Sequence, residues 1–162
     1  KNEIYAALAR ADRRGTFHWA IYLLRLWQDQ ENGYKIHATT HGGTTPWEYE
    51  CIRWKAPKSA LAVTFTLIGH LHEDLDVDCL EVYVKDIPMN IIPRDQQKEP
   101  HFTCRVWFKE AIRQIHASGM FVNCPDVDAL ERELVAKASA AEYWGDELLP
   151  VQFTCSQASR WS

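Results

Sequence analysis

Residues 102–119 read FTCRVWFKEAIRQIHASG, and their periodicity decides the fold class. Cys104, Trp107, Phe108, Ala111, Ile112 and Ile115 recur at i, i+3, i+4, i+7, i+8 and i+11, one continuous face of an α-helix. Thr103 precedes that face as an N-cap, and Gly119 follows it as a stop. An unbroken apolar face needs an apolar partner, and the chain upstream supplies strands. Residues 17–27 are apolar, aromatic and bounded by turn residues, a largely buried strand. Residues 28–33 form a loop in which Asn32-Gly33 is a reversal signal, and residues 34–39 are the returning strand. Residues 41–46 (HGGTTP) reverse the chain again before a third strand over 47–54.

A fourth strand is expected over 60–71, with Val63, Phe65 and Leu67 on one face, and a fifth over 80–87. Residues 88–100 are a polar connection bounded by prolines. Residues 3–10 fit either state, since their alanines favour helix while Ile4 and Tyr5 favour strand. Asp12, Gly15 and Thr16 belong to the polar turn that follows. Pro125 opens a second helix with Asp126 and Asp128 in its first turn and Leu130, Leu134, Ala138 and Ala141 inside. Residues 151–155 read as a last short strand. Strands first and helices afterwards predict a single α+β domain over 1–162, an antiparallel sheet packed against helices.

The formal charge is −4, from 18 Lys and Arg against 22 Asp and Glu, which offers no broad platform for nucleic acid. Basic residues cluster locally at Arg10, Arg13 and Arg14 and at Arg53, Lys55 and Lys58, both read as solvated surface. Five cysteines, an odd number without a C-x-x-C pair, read as reduced thiols in an intracellular, cytoplasmic protein. No charged segment followed by an apolar run opens the chain, and no run approaches a membrane span, so no membrane partner is expected.

The chemistry centres on Cys104. In the first turn of its helix, exposed backbone N–H groups stabilise a thiolate, and those of Cys104 and Arg105 could form an oxyanion hole. His18, at the entrance of its strand, is the candidate base, and His37, in the returning strand, the candidate group that orients it. The imidazoles and carboxylates between His70 and Asp78 are competent ligands for a divalent metal, but the run lacks the glycine and distal glutamate of a calcium loop and reads as a solvated strand end or loop. No metal and no cofactor are expected, and no P-loop, Rossmann glycine pattern or G-x-S-x-G occurs.

HWAIYL at 18–23, GYKIH at 33–37 and a cysteine at a helix start resemble the lecithin:retinol acyltransferase branch of the NlpC-type, circularly permuted papain-like proteins. The resemblance spans roughly residues 17–116 and implies a permuted papain-like fold with His18 as base, His37 as its orienting partner and Cys104 as nucleophile. The chain departs from it in a longer hairpin between the histidines and in TCRVWF where the family has N-C-E-H-F. A closer resemblance is to small fungal proteins built on H-W-[AL]-[IL], I-H and C-x-x-W before a helix, a group that includes arginine-containing cyclodipeptide synthases. It implies acyl transfer through a Cys104 thioester, joining two amino acids delivered by aminoacyl-tRNA. A small-molecule or aminoacyl substrate is then expected, with Glu48 or Glu50 pairing with an arginyl guanidinium. Trp19 and Arg105 complete the candidate substrate-binding set, with core packing the alternative for Trp19. The acidic charge counts against tRNA. The rival readings are a thiol hydrolase or acyltransferase on peptide or lipid esters, and a catalytically silent binding module.

Overall fold

A computed structural model describes residues 1–13, 15–25, 33–43, 46–143 and 152–160. Its frame is a six-stranded sheet in the order β4-β3-β2-β1-β5-β6. The strands are β1 (Asn2–Arg10), β2 (Phe17–Leu24), β3 (Gly33–Thr39), β4 (Glu48–Trp54), β5 (Ala62–Leu71) and β6 (Gln152–Cys155). The helices are α1 (Asp78–Val84), α2 (Cys104–Ala117) and α3 (Val127–Tyr143). The α+β class is as the sequence predicts. The sheet is not wholly antiparallel, because β6 joins β5 in parallel.

The ambiguous segment 3–10 becomes a central strand, β1, paired with β2 on one side and β5 on the other. Its alanines would suit a helix, but a central strand with both edges paired buries far more surface than a lone surface helix could, so tertiary packing overrides local propensity. Side chains alternate across the sheet. Ile4, Ala6 and Leu8 join the main core with Trp19, Ile21 and Leu23 of β2 and Ile36 and Ala38 of β3. Tyr5 and Ala7 face the other way, with Ala20, Tyr22 and Phe65.

The helices lie on the first of these faces. α2 packs on β2 and β3 and α3 on β5 and β1. As predicted, Thr103 caps α2, its hydroxyl accepting from the Val106 N–H at 3.4 Å. The Trp19 ring lies 5.3 Å from that of Phe108. Gly119 adopts the left-handed conformation (φ 71) that ends the helix without steric cost.

The fifth strand expected over 80–87 is corrected to helix α1. Val77, Leu80, Val84 and Ile87 are the buried positions, spaced for a helix, while Val82 between them is 60% exposed. Asp78 and Glu81 in the first turn suit the positive helix terminus. Within the connection that follows, a 3-10 turn (Pro93–Asp95) is tied to α2: Arg113 donates to both carboxylate oxygens of buried Asp95, at 2.7 and 3.0 Å. Expected features at Arg14, in the hairpin over 26–32, at 44–45 and at Val151 lie outside the described residues.

Gly69 of β5 passes under the segment that follows α2. A Cβ added there would sit 2.1 Å from the backbone oxygen of Phe121, the same oxygen that accepts from the His70 N–H. Gly69→Ala is therefore expected to lower stability by about 3 kcal/mol, read as an earlier denaturant midpoint with an unchanged slope.

Candidate functional site

The open face of the sheet, opposite the helices, carries a depression because its centre is built from alanines. Ala7 pairs across β1 and β2 with Ala20, and Ala9 with His18. Small side chains in the middle and larger ones around them leave a cavity of about 350 Å³, walled in part by Trp54, Ser59 and Leu61. This volume is within the range of small-molecule sites.

Three polar residues form a chain along one wall. His18 Nε2 lies 2.5 Å from His37 Nδ1, the two rings near perpendicular at 89°, and His37 Nε2 lies 2.9 Å from Glu50 Oε1. The β3–β4 register sets the second contact by placing His37 directly opposite Glu50. The tautomers follow from the inventory of donors. A carboxylate only accepts, so His37 donates from Nε2 and presents the Nδ1 lone pair. His18 then donates from Nε2, which leaves its Nδ1 unprotonated on a ring that lines the cavity.

Burial, reinforced by the neighbouring His37 and Lys35, pushes the His18 imidazolium down to about 4. Burial also lowers His37, against the opposing pull of Glu50. The hydrogen bond from His37 lowers Glu50. The result is a carboxylate followed by two neutral imidazoles. At the rim His41, in a left-handed backbone conformation (φ 54), approaches Glu50 at 3.7 Å and bonds through Nε2 to Glu48.

Acidification tests this environment. Unfolded His18 titrates near 6.5 and folded His18 near 4, so between those values the unfolded chain binds more protons. Stability is fully present above the higher value and is lost as pH falls through the window, by up to about 3 kcal/mol from this group. Chemical denaturation of His18→Gln across the same range should show a flatter pH dependence than the parent protein.

Cys104 does not join the histidines. Its side chain enters the core from α2, 7% exposed, with Sγ 4.0 Å from the carbonyl oxygen of Phe17. That contact is made from the helical face of β2. His18 projects from the same strand to the opposite face, because neighbouring strand residues alternate. Backbone N–H groups of Trp19 and Arg105 favour the thiolate, but burial is the larger influence and raises the thiol. The expected lowering of its pKa is thus reversed.

The remaining candidate residues divide in the same way. Glu50 enters the cavity wall, but its carboxylate holds imidazoles. Glu48 is engaged with His41. Trp19 is a core residue at 2% exposure. Arg105 lies between Glu99 and Glu131, remote from the open face, in a groove of about 650 Å³ between α2 and α3. The charged groups of that groove largely pair with one another.

Sequence reasoning missed Lys35, which the alternation within 34–39 places on the face of His37. Among the described residues no three His, Cys, Asp or Glu side chains group to hold a metal, and no helix is long and apolar enough to cross a membrane.

The fold and the open-face cavity define an α+β protein with a histidine–carboxylate site. The chain belongs to a family of unknown function, DUF6914, whose profile it matches over residues 1–155. No curated protein and no solved structure matches it.

Proposed function

We propose that the open-face cavity is an active site in which His18 is the general base for acyl transfer. The observation that carries this reading is the Glu50–His37–His18 chain, which leaves the lone pair on His18 Nδ1 and backs it with a carboxylate. His18 would take a proton from a water, hydroxyl or amine as that group attacks an acyl carbon. The positive charge gained is shared toward Glu50 through His37. The same proton is then returned to the leaving group, so the enzyme ends unchanged. Acyl transfer as the reaction class rests on the likeness of the HWAIYL, GYKIH and cysteine motifs to acyl-transferring proteins.

A thioester on Cys104, and with it the permuted papain-like relationship, requires sulfur and imidazole to reach one substrate atom from opposite faces of a central strand. The geometry favours a thiol-independent reaction. The experiment compares the parent protein, His18→Gln and Cys104→Ala on two substrates: p-nitrophenyl acetate, and arginyl-tRNA with a second aminoacyl-tRNA assayed for diketopiperazine by mass spectrometry. Turnover that needs His18 and survives Cys104→Ala supports the proposal. Turnover that needs Cys104 would restore the thioester, and none dependent on His18 would end the reading.

A further inference from the structure

Of the two cations that line the cavity, Arg10 is exposed, and Lys35 is the one set partly out of water without a close partner of opposite sign among the described residues. Its ammonium makes no ion pair or hydrogen bond among the described residues and stands 5.1 Å from the centre of the Trp54 ring. Burial lowers it, while Glu50 acts in the opposite sense from a distance. Glu50 is meanwhile engaged by His37 and His41. Of the fully charged groups lining the cavity, Lys35 and Arg10 are cations and Glu50 is the one anion. The surplus is a single positive charge, set beside an apolar floor of alanines with Trp54 and Leu61.

We infer that the cavity binds a small monoanionic carboxylate, its charge on Lys35 and its apolar body over Ala7 and Ala20 against Trp54. An ammonium half withdrawn from water gains more from a carboxylate than a solvated one does. The volume, about a dozen waters' worth, suits a molecule the size of an aromatic acid. A phosphate dianion fits less well, because the one half-buried ammonium balances a single negative charge. The inference rests on the preceding reading only in making this carboxylate part of the substrate that His18 acts upon.

The test titrates 4-hydroxyphenylacetate and 4-hydroxyphenylacetamide into the full chain, following amide NMR shifts. The acid should bind at least about tenfold more tightly than the amide. Lys35→Gln should abolish that preference, and Lys35→Arg should preserve it. Equal binding of acid and amide, no binding of the acid at millimolar concentration, or a preference that survives Lys35→Gln would overturn the inference. So would inorganic phosphate displacing the acid more strongly than the acid binds. The two readings fail separately. Lys35-dependent carboxylate binding without His18-dependent turnover would retain the ligand and remove the base chemistry. The opposite pattern would retain the base chemistry and remove the ligand.

Discussion

Replacing His18 with glutamine should reduce acyl-transfer turnover by about 10²–10⁴, the range that a positioned base contributes. Glutamine keeps a donor that can reach His37 Nδ1, but its carbonyl oxygen is far too weak a base to take the proton. The fold should survive, since the side chain faces the cavity and the core lies on the other face of the sheet. Cys104→Ala should do the reverse. It removes a buried sulfur at a cost of about 1 kcal/mol and leaves turnover intact. The pair is informative because each variant controls for the other: loss of activity in both with normal folding would place sulfur and imidazole in one mechanism. The pH profile adds a readout that general structural damage would not reproduce. Activity in the parent protein should fall as pH drops toward about 4, where His18 accepts a proton and ceases to be a base.

The largest loss of stability is expected at Lys109→Met, about 3–5 kcal/mol in denaturant unfolding. Lys109 is 3% exposed, and its Nζ lies 2.7 Å from both Asp128 and Glu131 and 3.5 Å from Glu99. Burial alone would disfavour its charge, but the hydrogen bonds to Asp128 and Glu131 outweigh that and raise it. Its partners feel the converse: hydrogen bonds from Lys109 and Lys98 pull Asp128 down to about 2. Removing the ammonium leaves Glu99, Glu131 and Asp128 to share Arg105 and Lys98 alone, an excess of one negative charge in a largely buried network between α2 and α3. Methionine restores the volume without the charge, so cavity formation cannot explain the loss. The double variant Lys109→Met, Glu131→Leu should recover part of it, because replacing both members of a buried pair is far cheaper than breaking one. A loss below about 1 kcal/mol in the single variant would show that the network is solvated.

Both results turn on positions whose roles only partly show in the chain. α2 was readable because a helix buries one stripe of its own surface, and the stripe from Cys104 to Ile115 is written at helical spacing. The same logic located β2, β3, β4 and β5, although a register shift in β5 turns Val63 to the face opposite Phe65 and Leu67, where strict alternation would not put it. Leu80–Val84 also misled: a short segment rich in leucine, valine and tyrosine suits either state until its neighbours choose which side to bury. Lys109 looked like any polar residue beside an apolar stripe. Its burial depends on α3 bringing Asp128 and Glu131 across to it, and no local pattern carries that information.

The candidate site shows the same division. His18 and His37 could be singled out as chemically competent, and their strands placed side by side, from the order of residues alone. Which face each ring occupies could not, because strand alternation allows two choices and one residue of offset exchanges them. Packing made the choice: Phe17, Trp19, Ile21 and Leu23 together bury more apolar surface against α2 than His18, Ala20 and Tyr22 would, so the helix claims the odd-numbered residues and the imidazole turns outward. Local periodicity therefore specified the elements and their chemistry. The assembled sheet separated Cys104 from the histidines and brought Glu50 and Lys35 to them, since a register shared by four strands is a property of the whole core.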